Sequence, residues 1–270
     1  VIETIARVEF SMEEVKKIIK KTNACMIWGG ALGVVPADTK IIWVEKSLKI
    51  DPKPMLIASI MSKKLAAGSK YILIDIPYGK GAKVTKKEAL NLKKIFEHLG
   101  KYFKRKIKCV LTDGSQPIGS GIGPALELRD IIKILDPNQT GPKDLEEKSV
   151  FLAGEIFEMT GISKKGAGKK LAEDILHSGK AFEKFREIIE AQGGSLRKLR
   201  ESKFKRDIMS KKSGKIIEID NKKINSLARY AGCPADKFSG VYLHKNRGDA
   251  VKKNEKILTL YADSVSRLRS

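Results

Sequence analysis

Residues 71–76, YILIDI, form a short run rich in β-branched side chains. A glycine- and lysine-rich loop follows, then a helical pattern over residues 85–99 and a second apolar run, IKCVL, at residues 107–111. Two strands joined through a helix run parallel in one sheet, with the crossover helix packed on a face of it. A parallel sheet is covered on both faces, so more helices are required. Helical spacing recurs over residues 124–135, 145–159, 169–179 and 181–192. The expectation is an α/β fold: a mixed, largely parallel sheet flanked by helices.

The flanking segments are less constrained. Ser11 and Glu14 have the spacing of a capping box, which places a helix from there to Asn23. CMIW at residues 25–28 and KIIWV at 40–44 read as short strands, with a loop over 33–38 between them. Residues 195–212 read as a charged, weakly periodic linker. Beyond it the texture changes to short strands at 215–219, 240–244 and 257–261 around a helix at 222–231. The division expected is a central α/β domain over 1–212 and a small C-terminal α+β domain over 213–270.

Composition narrows the function class. The chain has 270 residues, 41% of them hydrophobic, enough for one large core. No apolar run approaches the roughly 18 residues of a membrane span and no signal pattern opens the chain, so a cytoplasmic, membrane-free protein is expected. Cys25, Cys109 and Cys233 are far apart, which indicates neither a disulfide framework nor a zinc site. The net charge of +22 fits either a nucleic-acid binder or a lysine-rich surface with pockets for small anions. Aromatics amount to 6% and do not interleave with the basic clusters, so the second is favoured and no nucleic-acid partner is expected.

Three stretches carry candidate chemistry. In KIDPKPM, at residues 49–55, prolines flank the approach to an apolar helix, which reads as starting at Pro54 and leaves Asp51 just outside its positive end. On that helix Ser59 and Lys63 are four apart and share a face. Lys83 closes the glycine loop after the first strand, a phosphate-friendly position that is not a Walker sequence. Residues 112–117 lie at a strand's carboxyl end, where open α/β sheets bind ligands. GSGIG at 119–123 is not a dinucleotide fingerprint.

MLIASIMSKKLAAG at 55–68, IDIPYGKGAK at 74–83 and LTDGSQPIGSGIGPALELR at 111–129 together resemble the pyrimidine-nucleoside phosphorylase family in order and spacing. The resemblance extends over the whole chain, as a C-terminal portion. The family's phosphate-gripping segments lie upstream of the position matching Val1. WGGAL at 28–32 and IDP at 50–52 look most like the archaeal branch that acts on AMP. The Tyr-x-x-Arg that follows Pro-Ala-Asp in the thymidine-specific branch is missing here.

The resemblance implies phosphorolysis of AMP, with CMP and UMP as further candidates, by inorganic phosphate, giving free base and ribose 1,5-bisphosphate. Thymidine or uridine phosphorolysis is the alternative. It implies no cofactor and no metal, and a homo-oligomer. By residue, Asp51 matches the proton donor, while Ser59 and Lys83 match substrate-binding positions. Lys63 matches a base-contacting lysine of the thymidine branch. An acid at a ring nitrogen would neutralise charge collecting on the departing base. On chemistry alone Asp51 is either that acid or a charge stabiliser, because a free Asp has a pKa of about 3.9 and the helix end favours carboxylate.

Overall fold

The computed structural model describes residues 1–30, 36–48 and 52–269. In chain order the first elements are helices α1 (Met12–Thr22), α2 (Pro36–Leu48) and α3 (Lys53–Ala66), strand β1 (Tyr71–Tyr78), helix α4 (Lys86–Tyr102) and strand β2 (Lys106–Asp113). Strand β3 (Gly121–Ile122) leads to helices α5 (Pro124–Leu135), α6 (Lys143–Thr160), α7 (Gly168–His177) and α8 (Lys180–Ala191). The chain finishes with β4 (Phe204–Met209), β5 (Gly214–Lys215), α9 (Asn221–Ala231), β6 (Gly240–Leu243), β7 (Ala250–Val251), β8 (Lys256–Ala262) and α10 (Val265–Arg269).

The strand–helix–strand unit forms as the sequence implies. β1 pairs with β2 in parallel, in step from Tyr71 opposite Lys106 to Tyr78 opposite Asp113. One face of β1 presents Ile72, Ile74 and Ile76 to a core completed by Met61 of α3 and by Ala89, Leu92 and Phe96 of α4. Asp75 points the other way, as strand alternation requires. There Lys148 of α6 meets it at 2.5 Å and Thr112 of β2 donates to it at 2.7 Å. A covering helix is thus tied to both strands through one partly buried carboxylate.

The mixed α/β class holds. Among the described residues the parallel pairing is that of β1 with β2, and the other ladders are antiparallel, in the sheets β3-β6-β8-β4 and β5-β7. Helix α9 packs Ala228 and Ala231 against Val241, Leu243 and Leu260 of the larger sheet. The glycines of GSGIG let chain segments touch: Gly121 and Ile122 pair with Tyr242 and Val241. Gly240 passes so close to the Ile122 carbonyl that a Cβ would overlap it. Close backbone approach, not cofactor binding, accounts for them.

Four sequence expectations are corrected, the first being that of the run at 215–219 only Lys215 lies in a strand, β5. The run at 40–44 lies inside helix α2. Four consecutive apolar residues carry no period, and the proline at the helix start with an acid in its first turn supplies the helical signal. Residues 25–28 form no ladder. Instead the buried Gln192 side chain accepts from Met26 N–H at 2.7 Å and donates to the Met26 and Arg7 carbonyls at 2.9 and 2.8 Å. The supposed linker contains β4, an edge strand whose lysine and arginine hide its alternation while protecting the edge.

The core around β1 makes a specific demand on Phe96, which is 2% exposed. Phe96→Ala is expected to cost about 3–5 kcal/mol in urea unfolding. Tyr102→Ala, at a ring 74% exposed on the same helix, should change stability by less than about 0.5 kcal/mol.

Candidate functional site

Ser59 and Lys63 meet as their spacing on α3 implies. The Lys63 ammonium donates to Ser59 Oγ at 2.7 Å and to the Ser59 carbonyl at 3.3 Å. It also pairs with Asp38 in the first turn of α2. Asp38 is 7% exposed. Burial disfavours the Asp38 anion, but the hydrogen bond from Lys63 and the lysine's charge outweigh it, so its carboxyl is held below the usual range. Sequence reading missed Asp38. The contact spans 25 positions, and the only trace of it was an acid just inside a proline-led helix.

Lys83 lies in the loop between β1 and α4 and is exposed. Gly79 and Gly81 turn that loop at φ of 140° and 79°. Val84 returns to bridge Tyr78, which holds the far end of the loop against β1. Thr85 and Glu88 then form a capping box that starts α4. Glu88 also takes Lys53, the first residue of α3, at 2.5 Å. The hydrogen bond from Lys53, then those from Thr85, bring the Glu88 carboxyl down to about 2. The starts of α3 and α4 are thereby tied together. Asp51, the candidate proton donor, lies outside the described residues.

The loop after β2 is engaged by the C-terminal part of the chain. Arg247 donates to Asp113 at 3.2 Å and to Ser115 Oγ at 2.8 Å, and its backbone N–H to Gln116 at 3.0 Å. Asn221 donates to the Gly114 carbonyl at 2.9 Å, and Lys80 pairs with Glu218 at 2.7 Å. The polar groups at the carboxyl end of β2 are thus spent on clasping residues 218–247. None of these partners was legible from sequence, since each joins segments more than a hundred positions apart.

Among the described residues no group of three His, Cys, Asp or Glu is placed to hold a metal, and no helix is long and apolar enough to cross a membrane. The cysteines are free. Burial pushes the Cys109 thiol up to about 11. An open hollow of about 630 Å³ lies between α4, β2 and α6, lined by Lys93, Lys94, Glu97, Lys108 and Phe151 among others. It touches neither Ser59 nor Lys83.

Hydrogen bonds from the Ser115 hydroxyl and N–H, reinforced by Arg247, hold the Asp113 carboxyl below the usual aspartate range against an opposing effect of burial. A depressed folded-state pKa stabilises the fold above the unfolded value, and that contribution is lost as pH falls through the folded one. Asp113→Asn should therefore unfold at lower urea than the parent at neutral pH. Its midpoint should also fall less between about pH 6 and pH 3.

Comparison with known proteins finds relatives along the whole chain. Residues 215–270 match the model of the pyrimidine nucleoside phosphorylase C-terminal domain. An AMP phosphorylase of Methanocaldococcus jannaschii is 46% identical over 100% of this chain and 54% of its own length. Those of Pyrococcus horikoshii and Pyrococcus abyssi are each 47% identical over 99% of this chain and 54% of theirs. The chain spans about half the length of these curated relatives. The resemblance read from three sequence blocks is borne out: along its whole length the chain is similar to archaeal AMP phosphorylases, and its residues 215–270 match the C-terminal domain model of the pyrimidine nucleoside phosphorylases.

Proposed function

We propose that the full-length protein phosphorolyses AMP with inorganic phosphate, releasing adenine and ribose 1,5-bisphosphate, and does so as a homo-oligomer without cofactor or metal. The observation that carries this reading is similarity to AMP phosphorylases over the entire chain, at 46–47% identity in the relatives above. The ordered pair at Ser59 and the Lys83 loop, at the carboxyl end of the parallel strands, is consistent with it. CMP and UMP are further candidates for the same chemistry.

In this reading a phosphate oxygen bonds to C1′ of the ribose as the C1′–N bond to the base breaks. The bonding pair leaves with the base, and the sugar passes through a positively charged, oxocarbenium-like state. Asp51 gives its proton to a ring nitrogen of the base, so the leaving group departs neutral. Ser59 and Lys83 hold the nucleotide, the first from α3 and the second from the loop before α4. Exclusion of water makes phosphate, not water, the nucleophile.

Assay of the full-length protein with phosphate should show adenine release from AMP at a kcat/KM well above that for thymidine. Selective turnover of thymidine would sink the substrate assignment. Asp51→Asn should lower kcat by about 10²–10⁴-fold with KM for AMP changed by far less, and an unchanged kcat would remove Asp51 from the mechanism.

A further inference from the structure

The loops that leave the carboxyl ends of β1 and β2 pack directly on one another. The Gly114 N–H donates to the Tyr78 carbonyl at 2.8 Å. A Cβ added at Gly114 would stand 2.9 Å from Pro77 Cβ and 3.2 Å from Ala82 Cβ, and one at Gly79 would stand 3.2 Å from Ser115 Cβ. The 113–115 segment is therefore the floor on which the 79–83 loop rests. The loop above it is closed on itself, since the Ala82 N–H donates to the Gly79 carbonyl at 3.2 Å and the Gly79 N–H to the Val84 carbonyl at 3.3 Å. In so short a closed turn, a contact on one residue is felt at Lys83.

Asn221, the first residue of α9, reaches both loops from the C-terminal part of the chain. It donates to the Gly114 carbonyl at 2.9 Å. A Cβ on Gly81 would lie 3.6 Å from Asn221 Nδ2 and 3.9 Å from Asn221 Cβ, so the loop backbone passes against this side chain. Gly81 turns there at φ of 79°, a conformation that favours glycine. Asn221 is itself held in place, because Asp220 caps α9 by accepting from the N–H groups of Lys222 and Lys223 at 2.9 and 3.1 Å.

We propose that Asn221 is a positioning residue, which braces the 79–83 loop against its floor and so fixes where the Lys83 ammonium stands toward the nucleotide. A lysine stem is flexible, and the backbone from which it springs sets its reach. The C-terminal part of the chain thereby completes the nucleotide site without touching the substrate.

The inference rests on the proposed role of Lys83 in holding AMP, and the two fail separately. Asn221→Ala keeps the Asp220 cap and puts a good helix former into α9, so the variant is expected to fold. Dissociation constants for AMP are measured by calorimetry on the full-length protein, for the parent, Asn221→Ala, Lys83→Ala and the double variant. Lys83→Ala should weaken binding roughly 10-fold or more, the loss of a charge-assisted hydrogen bond. Asn221→Ala should weaken it roughly 5-fold, yet add less than about 2-fold to the loss from Lys83→Ala, because one residue acts through the other. In steady state, Asn221→Ala should raise KM for AMP with kcat changed by far less.

An Asn221→Ala variant that binds AMP as the parent does overturns the inference and leaves the function intact. So does an effect of Asn221→Ala that is as large without Lys83 as with it, since that would mark a direct contact or a general loosening. A Lys83→Ala variant of unchanged affinity removes the Lys83 assignment and the inference with it. A parent that binds no AMP removes the functional reading as well.

Discussion

The in-step parallel pairing of β1 and β2 is the constraint on which the rest of the arrangement depends. Because Tyr78 stands opposite Asp113, both strands deliver their following loops at one level on the same edge of the sheet. The Lys83 loop leaves one strand and the loop bearing Asp113 and Ser115 leaves the other. The helices take their places from the same pair. α4 and α3 cover the isoleucine face of β1, and α6 is fixed to the opposite face through Lys148 and Asp75. A slip of one residue would turn Asp75 into the core and Ile74 and Ile76 away from Phe96.

Around that edge the chain places two different kinds of polar contact. The clasp of Arg247, Asn221 and Glu218 on the strand-end loops is exposed at several of its pairs, 44% and 63% for Arg247 and Asp113. Pairs of that kind add little stability singly and mainly fix orientation. The Asp38–Lys63 pair is different in character, since its carboxylate is buried and its ammonium also donates to Ser59. One set holds the C-terminal segment against the loops, while the other joins the first turn of α2 to α3.

How much of this could be read from sequence varied with the range of the interaction. The strand–helix–strand unit, the capping box at Ser11 and the shared face of Ser59 and Lys63 are local patterns, and each appears in the structure as read. Helix α2 was not legible as a helix because IIWV is apolar at four successive positions and suits either period. Strand β4 was not legible because an edge strand needs only one partner and carries charge to keep others away. Asp38, Gln192 and Arg247 were invisible as site or core residues for a common reason. Their partners lie 25 to 185 positions away, and nothing in a single sequence links such positions. Resemblance to the phosphorylase family supplied the roles of Asp51, Ser59 and Lys83, which local pattern alone left as a turn acid, a helix hydroxyl and a loop lysine.

The central claim is that α3 and the loop after β1 contribute to one nucleotide site. A crystal structure of the full-length protein with AMP bound tests it most directly. The expected result has the nucleotide between the start of α3 and the 79–83 loop, with Ser59 Oγ and Lys83 Nζ both within hydrogen-bond distance of it. AMP seated elsewhere, for example in the lysine-lined hollow between α4 and β2 with Ser59 and Lys83 untouched, would contradict the account.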